Sequence, residues 1–508
     1  MRPIQAMKAP ARCILAGTLG WSLIAAQAQD ATNTLHVYTR IVVLDVVVTD
    51  KSGNVVDDLT KDDFTVLEDG HPQTIRSFEP PAKHMMPADI TINSAADLDH
   101  KAPDAPIDII VLDEFNTRFT DMDFARYSVK KYINAQPQKL NQPTELVAVN
   151  NQKFDLLHDY TQDGSAILAS LNKHLTLYPW DLVNNRTGRG TLDRLALTLG
   201  ALEQVAQATK GHPGHKNVIW VGHGFPGINT VDLTPEQTTS ITGAIQRVLD
   251  MLRDARITLY TIDPTEVATT VTDPVAESDA VAEDDTGQDP FAAGIGFTAL
   301  APATGGKAYY SRNDVDREIG TSIRDGSNFY TLSYSPSNNS EAAAIFRNIK
   351  IQLDRRGLKA TTRTGYYAQP ASTTPAMVHN QTAFDITSAA STKLVYDGLQ
   401  VEAKPVEGES NTFLLTIGQR GLVYKESDDG SQSAEVVIET ASFGAKDKFL
   451  ARTLDGVTIK AQPLNNGAAP EPAKVKAKAK IPPGTTRLRF VVRDSASGQI
   501  GTVDLSVH

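Results

Sequence analysis

The chain has 508 residues, enough for about three domains, and its 41% hydrophobic and 21% charged content excludes wholesale disorder. A net charge of −11 argues against a nucleic-acid partner, because phosphate binding needs clustered Lys and Arg. One cysteine, Cys13, excludes disulfide scaffolds, zinc fingers, iron–sulfur clusters and cysteine nucleophiles.

Arg2, Lys8 and Arg12 give a basic start, and Cys13 to Ala26 form an apolar run too short to span a bilayer as a normal helix. Ala26-Gln27-Ala28 fits the small-x-small cleavage rule. Residues 1–28 are therefore expected to be a signal peptide cut before Gln29, with an uncleaved anchor as the alternative. Cys13 would be discarded with it. No later segment is long and apolar enough to span a membrane, so the expected product is periplasmic or extracellular.

Leu35 to Asp50 reads as strand, Asp50-Lys51-Ser52-Gly53 as a turn, and Phe64 to Glu68 as an alternating strand closed by Asp69-Gly70. Ile75 to Phe78 is a further strand. Residues 80–105, rich in Pro, Ala and Asp, read as a linker. The period then changes. Ile107-Asp108-Ile109-Ile110-Val111-Leu112 is a short apolar run ending in polar Asp113, typical of a buried parallel strand. Ala125, Val129, Tyr132 and Ile133 mark an amphipathic helix, and Glu145 to Val149 another strand. A helix from Thr191 carries Leu192, Leu195, Leu199, Leu202 and Val205. Asn217 to Val221 is a strand stopping at Gly222-His223-Gly224. Thr234-Pro235-Glu236-Gln237 opens a helix with a capping box, and Ile257 to Ile262 is the next strand. Strands alternating with amphipathic helices predict an α/β domain over 105–326. Its residues 266–292 read as an acidic loop; they lack EF-hand spacing.

Strand patterns return from Phe329 and continue through Leu358 to Tyr367. Segments 29–80 and 327–370 together offer about seven strands, which predicts one discontinuous β-sandwich with the α/β domain inserted in it. A Pro/Thr/Ala linker near 370–378 leads to residues 380–508, expected to be an all-β, Ig-like sandwich. Ala473 to Ile481 alternates small apolar residues with lysine, as suits a protected edge strand.

Ligands of open parallel sheets bind outside the carboxyl ends of strands. Two ends stand out, Asp113-Glu114-Phe115-Asn116-Thr117 and Gly222-His223-Gly224. An aspartate followed by amide and hydroxyl oxygens suits a hard divalent cation such as Mg²⁺. Here the chain resembles the von Willebrand factor type A fold, a Rossmann-like α/β domain. The likeness rests on the Asp113 strand, the helix opened by Thr191, Val218 to Val221, and Phe297 to Gly306. The wider chain resembles the acidobacterial von Willebrand factor A-related family through Asp58 to Phe64, Glu68-Asp69-Gly70, Gly214 to Val221, Gly224-Phe225-Pro226, Tyr334-Ser335-Pro336 and Gly365-Tyr366-Tyr367.

The resemblance implies a degenerate metal site. Asp113 matches the first position of Asp-x-Ser-x-Ser and Thr117 the last, whereas Phe115 replaces the middle serine. Asn116 is an oxygen donor out of register, Thr191 is preferred over Thr187 as the loop threonine, and His223 stands where a later aspartate would fall. Histidine favours zinc or other transition metals over magnesium.

Asp113-x-Phe115-x-Thr117 also resembles the haloacid dehalogenase phosphatase motif, but Phe115 removes its second acid. No Gly-x-Ser-x-Gly elbow, His-Glu-x-x-His or phosphate loop is present. Gly211 to Lys216 reads as an ordinary helix-to-strand turn, and Asp57-Asp58 and Asp62-Asp63 as solvated turns. Trp180, Trp220 and Tyr309-Tyr310 read as packing residues. The expected function is that of an exported, non-enzymatic binding or adhesion-type protein with a protein or other macromolecular ligand. The alternatives are a hydrolase at the same cleft and a purely structural envelope protein.

Overall fold

The computed structural model describes residues 41–507 apart from 151–153, 177–187, 229–232, 266–294, 311–312, 338–345, 369–374, 420, 427–430 and 462–470. The expected signal segment, the acidic loop 266–292, Trp180 and Thr187 lie outside the described residues. The described chain is mixed α/β, with eight α-helices and several antiparallel sheets. None of those helices is long and apolar enough to cross a membrane.

The run Ile107–Asp113 is buried at every position and forms the middle of a six-stranded sheet. The order is Ala308–Tyr309, Ile257–Ile262, Lys216–Val221, Ile107–Asp113, Lys139–Val149, Phe154–Asp163. The first five strands are parallel, and only Phe154–Asp163 runs antiparallel. Numbered from Ile107–Asp113, the order is 6-5-4-1-2-3, a doubly wound arrangement that reverses between the Asp113 and Trp220 strands. Burial on both faces explains a run that is apolar apart from Asp108. Ile109 and Val111 face one core with Leu202, Val205 and Val248. Ile110 and Leu112 face the other with Val129 and Ile319.

Helix Pro235–Asp254 opens with the expected capping box: Thr234 Oγ1 accepts from Gln237 N at 3.2 Å and Gln237 Oε1 from Thr234 N at 2.9 Å. Sequence periodicity missed the edge strand Phe154–Asp163 and helix Gly164–Lys173, because that strand is mostly half-buried and does not alternate. The expected linker 80–105 is instead packed structure. It contains helix Ala95–Lys101, capped by Ser94, and buries Ile92 and Leu98 against the sheet. Its few apolar anchors were masked by a loop-like composition.

Two four-stranded antiparallel sheets draw strands from both sides of this α/β region. One has the order Lys359–Thr361, Val42–Thr49, Tyr330–Tyr334, Ile75–Glu79. The other has Gly365–Tyr367, Phe346–Leu353, Phe64–Glu68, His71–Gln73. Val46, Phe64, Val66, Leu332 and Tyr334 share one core between them.

The region after 378 is not all β. Helix Pro375–Ser391 has no glycine, starts at a proline, and buries Ile386, Ala389 and Ala390 at helical spacing. Asp385 on it pairs with buried Arg493 at 3.0 Å. Beyond it, strands Val401–Pro405, Thr412–Ile417 and Ala473–Lys478 form one sheet, and a larger sheet is built around Gln432–Phe443 and Arg487–Asp494. The alternating Ala/Lys run lies at a sheet edge, with Ala477 buried and its lysines exposed, as its period requires.

Candidate functional site at the carboxyl end of the parallel sheet

The strand order reverses between the parallel neighbours Ile107–Asp113 and Lys216–Val221, so both strand ends that stood out in the sequence meet at the switch point. Asp113, Asn116 and Thr117 are completely buried there. Asp113 Oδ2 accepts from Asn116 Nδ2 at 2.9 Å, Trp220 Nε1 at 3.0 Å and Gly224 N at 3.0 Å. Its Oδ1 accepts from Asn116 N at 3.1 Å. Burial pushes the carboxyl above the ordinary aspartate range, and these four donors oppose that shift.

The neighbouring oxygens are also engaged. Asn116 Oδ1 accepts from Arg194 Nε at 2.9 Å, and Thr117 Oγ1 from His223 N at 3.1 Å. Arg194 also donates to the carbonyls of Asn116 (3.2 Å) and Gly224 (3.5 Å). Asn116 Nδ2 donates to buried Thr198 at 3.1 Å. Backbone geometry closes the network. Gly222 has φ +151°, and a Cβ there would lie 2.5 Å from Asp113 Cβ and 2.6 Å from Thr117 Oγ1. Gly224 has φ +67°, with the Phe297 ring 2.0 Å from where its Cβ would be. Phe297 in turn packs on Trp220 and Phe225.

Of the five expected metal ligands, Asp113, Asn116 and Thr117 therefore share one network. His223 joins it through its backbone only. Its imidazole turns away, with Nε2 3.2 Å from Asp121 Oδ2, 3.6 Å from Asp263 Oδ1 and 3.0 Å from Thr265 Oγ1. Burial opposes charge on His223, but Asp121 and Asp263 outweigh it and raise its pKa. Thr191 lies one turn before Arg194; the contacts from this helix to the Asp113 loop come from Arg194 and Thr198.

This arrangement does not fit a divalent cation. A cation needs oxygen lone pairs, and four N–H groups already point at the Asp113 carboxylate. The positive charge beside the loop belongs to Arg194. Among the described residues no group of three or more His, Cys, Asp or Glu side chains could hold a metal. The sequence reading missed Arg194, Thr198 and the Trp220 indole. Trp220 is core, as expected, yet its N–H is also what holds Asp113; only its place near the strand end hinted at this.

The rim carries different chemistry. Glu114, buried, is 2.6 Å from His174 Nε2 and accepts from Thr176 at 3.0 Å. Around it, Phe119 is 52% exposed and Leu175 71%. Tyr310, read as packing, is 40% exposed just beyond the end of the Ala308–Tyr309 strand.

The amino ends of the strands hold a second polar network. Asp45 Oδ2 is 2.9 Å from His215 Nδ1, and its Oδ1 accepts from Arg256 Nη2 and Thr331 Oγ1, both at 2.8 Å. Buried Lys216 donates to the carbonyls of His212 (2.5 Å), Gly214 (2.8 Å) and Ala255 (2.6 Å). The Gly211–Lys216 segment is the expected helix-to-strand connection, and it also buries the Lys216 amine among three backbone carbonyls.

No family model and no curated protein matches the chain. Among solved structures it is similar to proximal thread matrix protein 1 from the mussel byssus (14% identity, TM-score 0.21), over 32% of this chain and 38% of that one. It is also similar to the SpRpn10 VWA domain (15%, TM-score 0.17, 32% of this chain and 88% of that one). A third is the TFIIH p34 N-terminal domain (12%, TM-score 0.17, 32% and 81%). At TM-scores this low the matches establish neither fold nor function, and the strand order and the residues carry the weight.

Proposed function

We propose that the chain is an exported, non-enzymatic binding protein whose von Willebrand factor A-like α/β domain, inserted in a β-sandwich, docks a protein ligand at the carboxyl end of its sheet. The observation that carries this reading is the contrast between centre and rim. Asp113 is fully buried and saturated by internal donors, whereas Phe119, six residues beyond it, Leu175, next to the Glu114 partner His174, and Tyr310, just past the edge strand of the same sheet, are exposed. Aromatic anchors beside charged groups are what interface hot spots use. A carboxylate with no exposure has no route to a substrate as nucleophile or base, which favours binding over hydrolysis. Recognition in this reading needs no bridging ion.

The test is site-specific photo-crosslinking in the exporting host. A photo-reactive residue at 119 is expected to give a discrete protein adduct, and one at exposed Val423 none. Equal patterns at the two positions would refute the docking face. Turnover of chromogenic phosphate or ester substrates by the purified chain, lost on substituting a residue of this rim, would favour the hydrolase instead.

A further inference from the structure

Strand Ala473–Lys478 is the edge of the sheet it forms with Thr412–Ile417 and Val401–Pro405. Val475 and Ala477 turn into the sandwich core with Leu415 and Ile417. Lys474, Lys476, Lys478 and, just past the strand, Lys480 take the opposite side, and all are exposed. At two residues per step their Cα atoms are about 6.7 Å apart, so the row is about 20 Å long.

Edge protection accounts for charge on this strand, but either sign would serve it. Here every outward position is lysine, in a chain whose 60 acidic residues outnumber its 49 basic ones. Lys476 pairs with Glu409. Among the described residues no carboxylate pairs with Lys474, Lys478 or Lys480. The register sets Thr412, Leu414 and Thr416 beside the row on the same face, and Glu402 and Lys404 on the strand beyond. Glu402 lies 3.7 Å from Lys404, so the unpaired charge forms a line along one edge rather than a broad field. A line of ammonium groups matches a linear polyanion better than a planar membrane surface. None of these outward residues is aromatic, so a nucleic-acid base has nothing to stack on. Half-buried Thr416 offers a hydroxyl beside Lys474, of the kind that pairs with sugar hydroxyls.

We infer that this lysine row binds a linear acidic polysaccharide, laid along the edge strand with its carboxylate or sulfate groups against Lys474, Lys478 and Lys480. Lysine supplies compact point charges, so the attraction follows charge spacing and tolerates either anion. The surface is separate from the Asp113 end and independent of the docking reading.

The experiment is calorimetric titration of the purified chain with heparin, with neutral dextran, and with vesicles of phosphatidylcholine and phosphatidylglycerol. Heparin should bind saturably at about 50 mM NaCl and at least ~10-fold more weakly at about 200 mM, because salt opposes the release of its counterions. Dextran and vesicles should bind at least ~10-fold more weakly than heparin. Lys474→Glu combined with Lys478→Glu should weaken heparin by at least ~10-fold. That variant keeps the edge charged, so a purely protective role for the lysines predicts unchanged binding. Lys51→Glu combined with Lys61→Glu makes the same charge change at exposed lysines elsewhere and should bind heparin within ~2-fold of wild type. No saturable heparin binding at the lower salt would overturn the assignment. So would wild-type affinity in the row variant, an equal loss in the Lys51 and Lys61 variant, or dextran or vesicles binding as tightly as heparin.

Discussion

Buried Asp113 and largely buried Asp45 lie at opposite ends of the parallel sheet, Asp45 on the adjoining antiparallel strand Val42–Thr49, and their surroundings treat them in opposite ways. Asp113 is held by two side-chain N–H groups and two backbone amides, all neutral, and burial raises its carboxyl. Burial would raise Asp45 too, but His215 and Arg256 outweigh it and hold that carboxyl far below the usual range. Neutral donors fix a carboxylate's position; charged partners fix its ionisation. The carboxyl end is therefore a rigid lock, and the amino end an ion-paired joint between Val42–Thr49 and the α/β sheet.

The largest expected effect comes from breaking the lock's backbone. Gly222→Ala places a methyl about where Asp113 and Thr117 already are, at a left-handed φ. It should cost about 3 kcal/mol or more, or prevent folding, as measured by urea denaturation. Asp45→Asn should come next, at about 3 kcal/mol near neutral pH, because it leaves His215 and Arg256 without their anion. Asp113→Asn should cost about 1–3 kcal/mol, since its new NH₂ must face a donor.

The pH profiles of these two variants should diverge. Asp45 has a depressed folded pKa, so its stabilisation is complete above the unfolded value of about 3.9 and lost as pH falls through the folded one. The Asp45→Asn penalty should therefore shrink in acid. Asp113 has a raised folded pKa, so its stabilisation is complete below about 3.9 and lost as pH rises through the folded one. The Asp113→Asn penalty should shrink towards alkaline pH.

Asp108 sharpens the comparison. It lies near the amino end, like Asp45, but its side-chain partner is neutral Asn217 at 3.0 Å, and burial raises its pKa to about 7. Asp108→Asn should stabilise the chain by on the order of 2 kcal/mol at pH 8 and less at pH 5, read by thermal melting. The neighbours, not the end of the sheet, set the sign. The smallest effect is expected for Phe119→Ser. Its exposure predicts a stability change within about 0.5 kcal/mol, with the loss confined to crosslinking partners.

Much of this was legible in the sequence because burial and period are local signals. The Asp113 strand, the Thr234 capping box and the Ala/Lys edge strand all follow from residue spacing. Helix Ala95–Lys101 and helix Pro375–Ser391 were hidden because a few apolar contacts, Ile92 and Leu98 or Ile386 and Ala389, anchor segments of loop-like composition. The location of the candidate site was legible too, since strand ends are marked by Asp113 and the glycines. Its chemistry was not. Arg194, Trp220 and the backbone N–H of His223 reach Asp113, Asn116 and Thr117 only through tertiary packing, and no spacing rule encodes which lone pairs remain free.

The most direct test is calorimetric titration of the purified chain with Mg²⁺, Mn²⁺, Ca²⁺ and Zn²⁺, beside Asp113→Asn. With the carboxylate already saturated, no saturable heat that depends on Asp113 is expected up to about 10 mM ion. One-site binding in the wild type, lost in a folded Asp113→Asn variant, would contradict the hydrogen-bonded lock and restore a metal to this strand end.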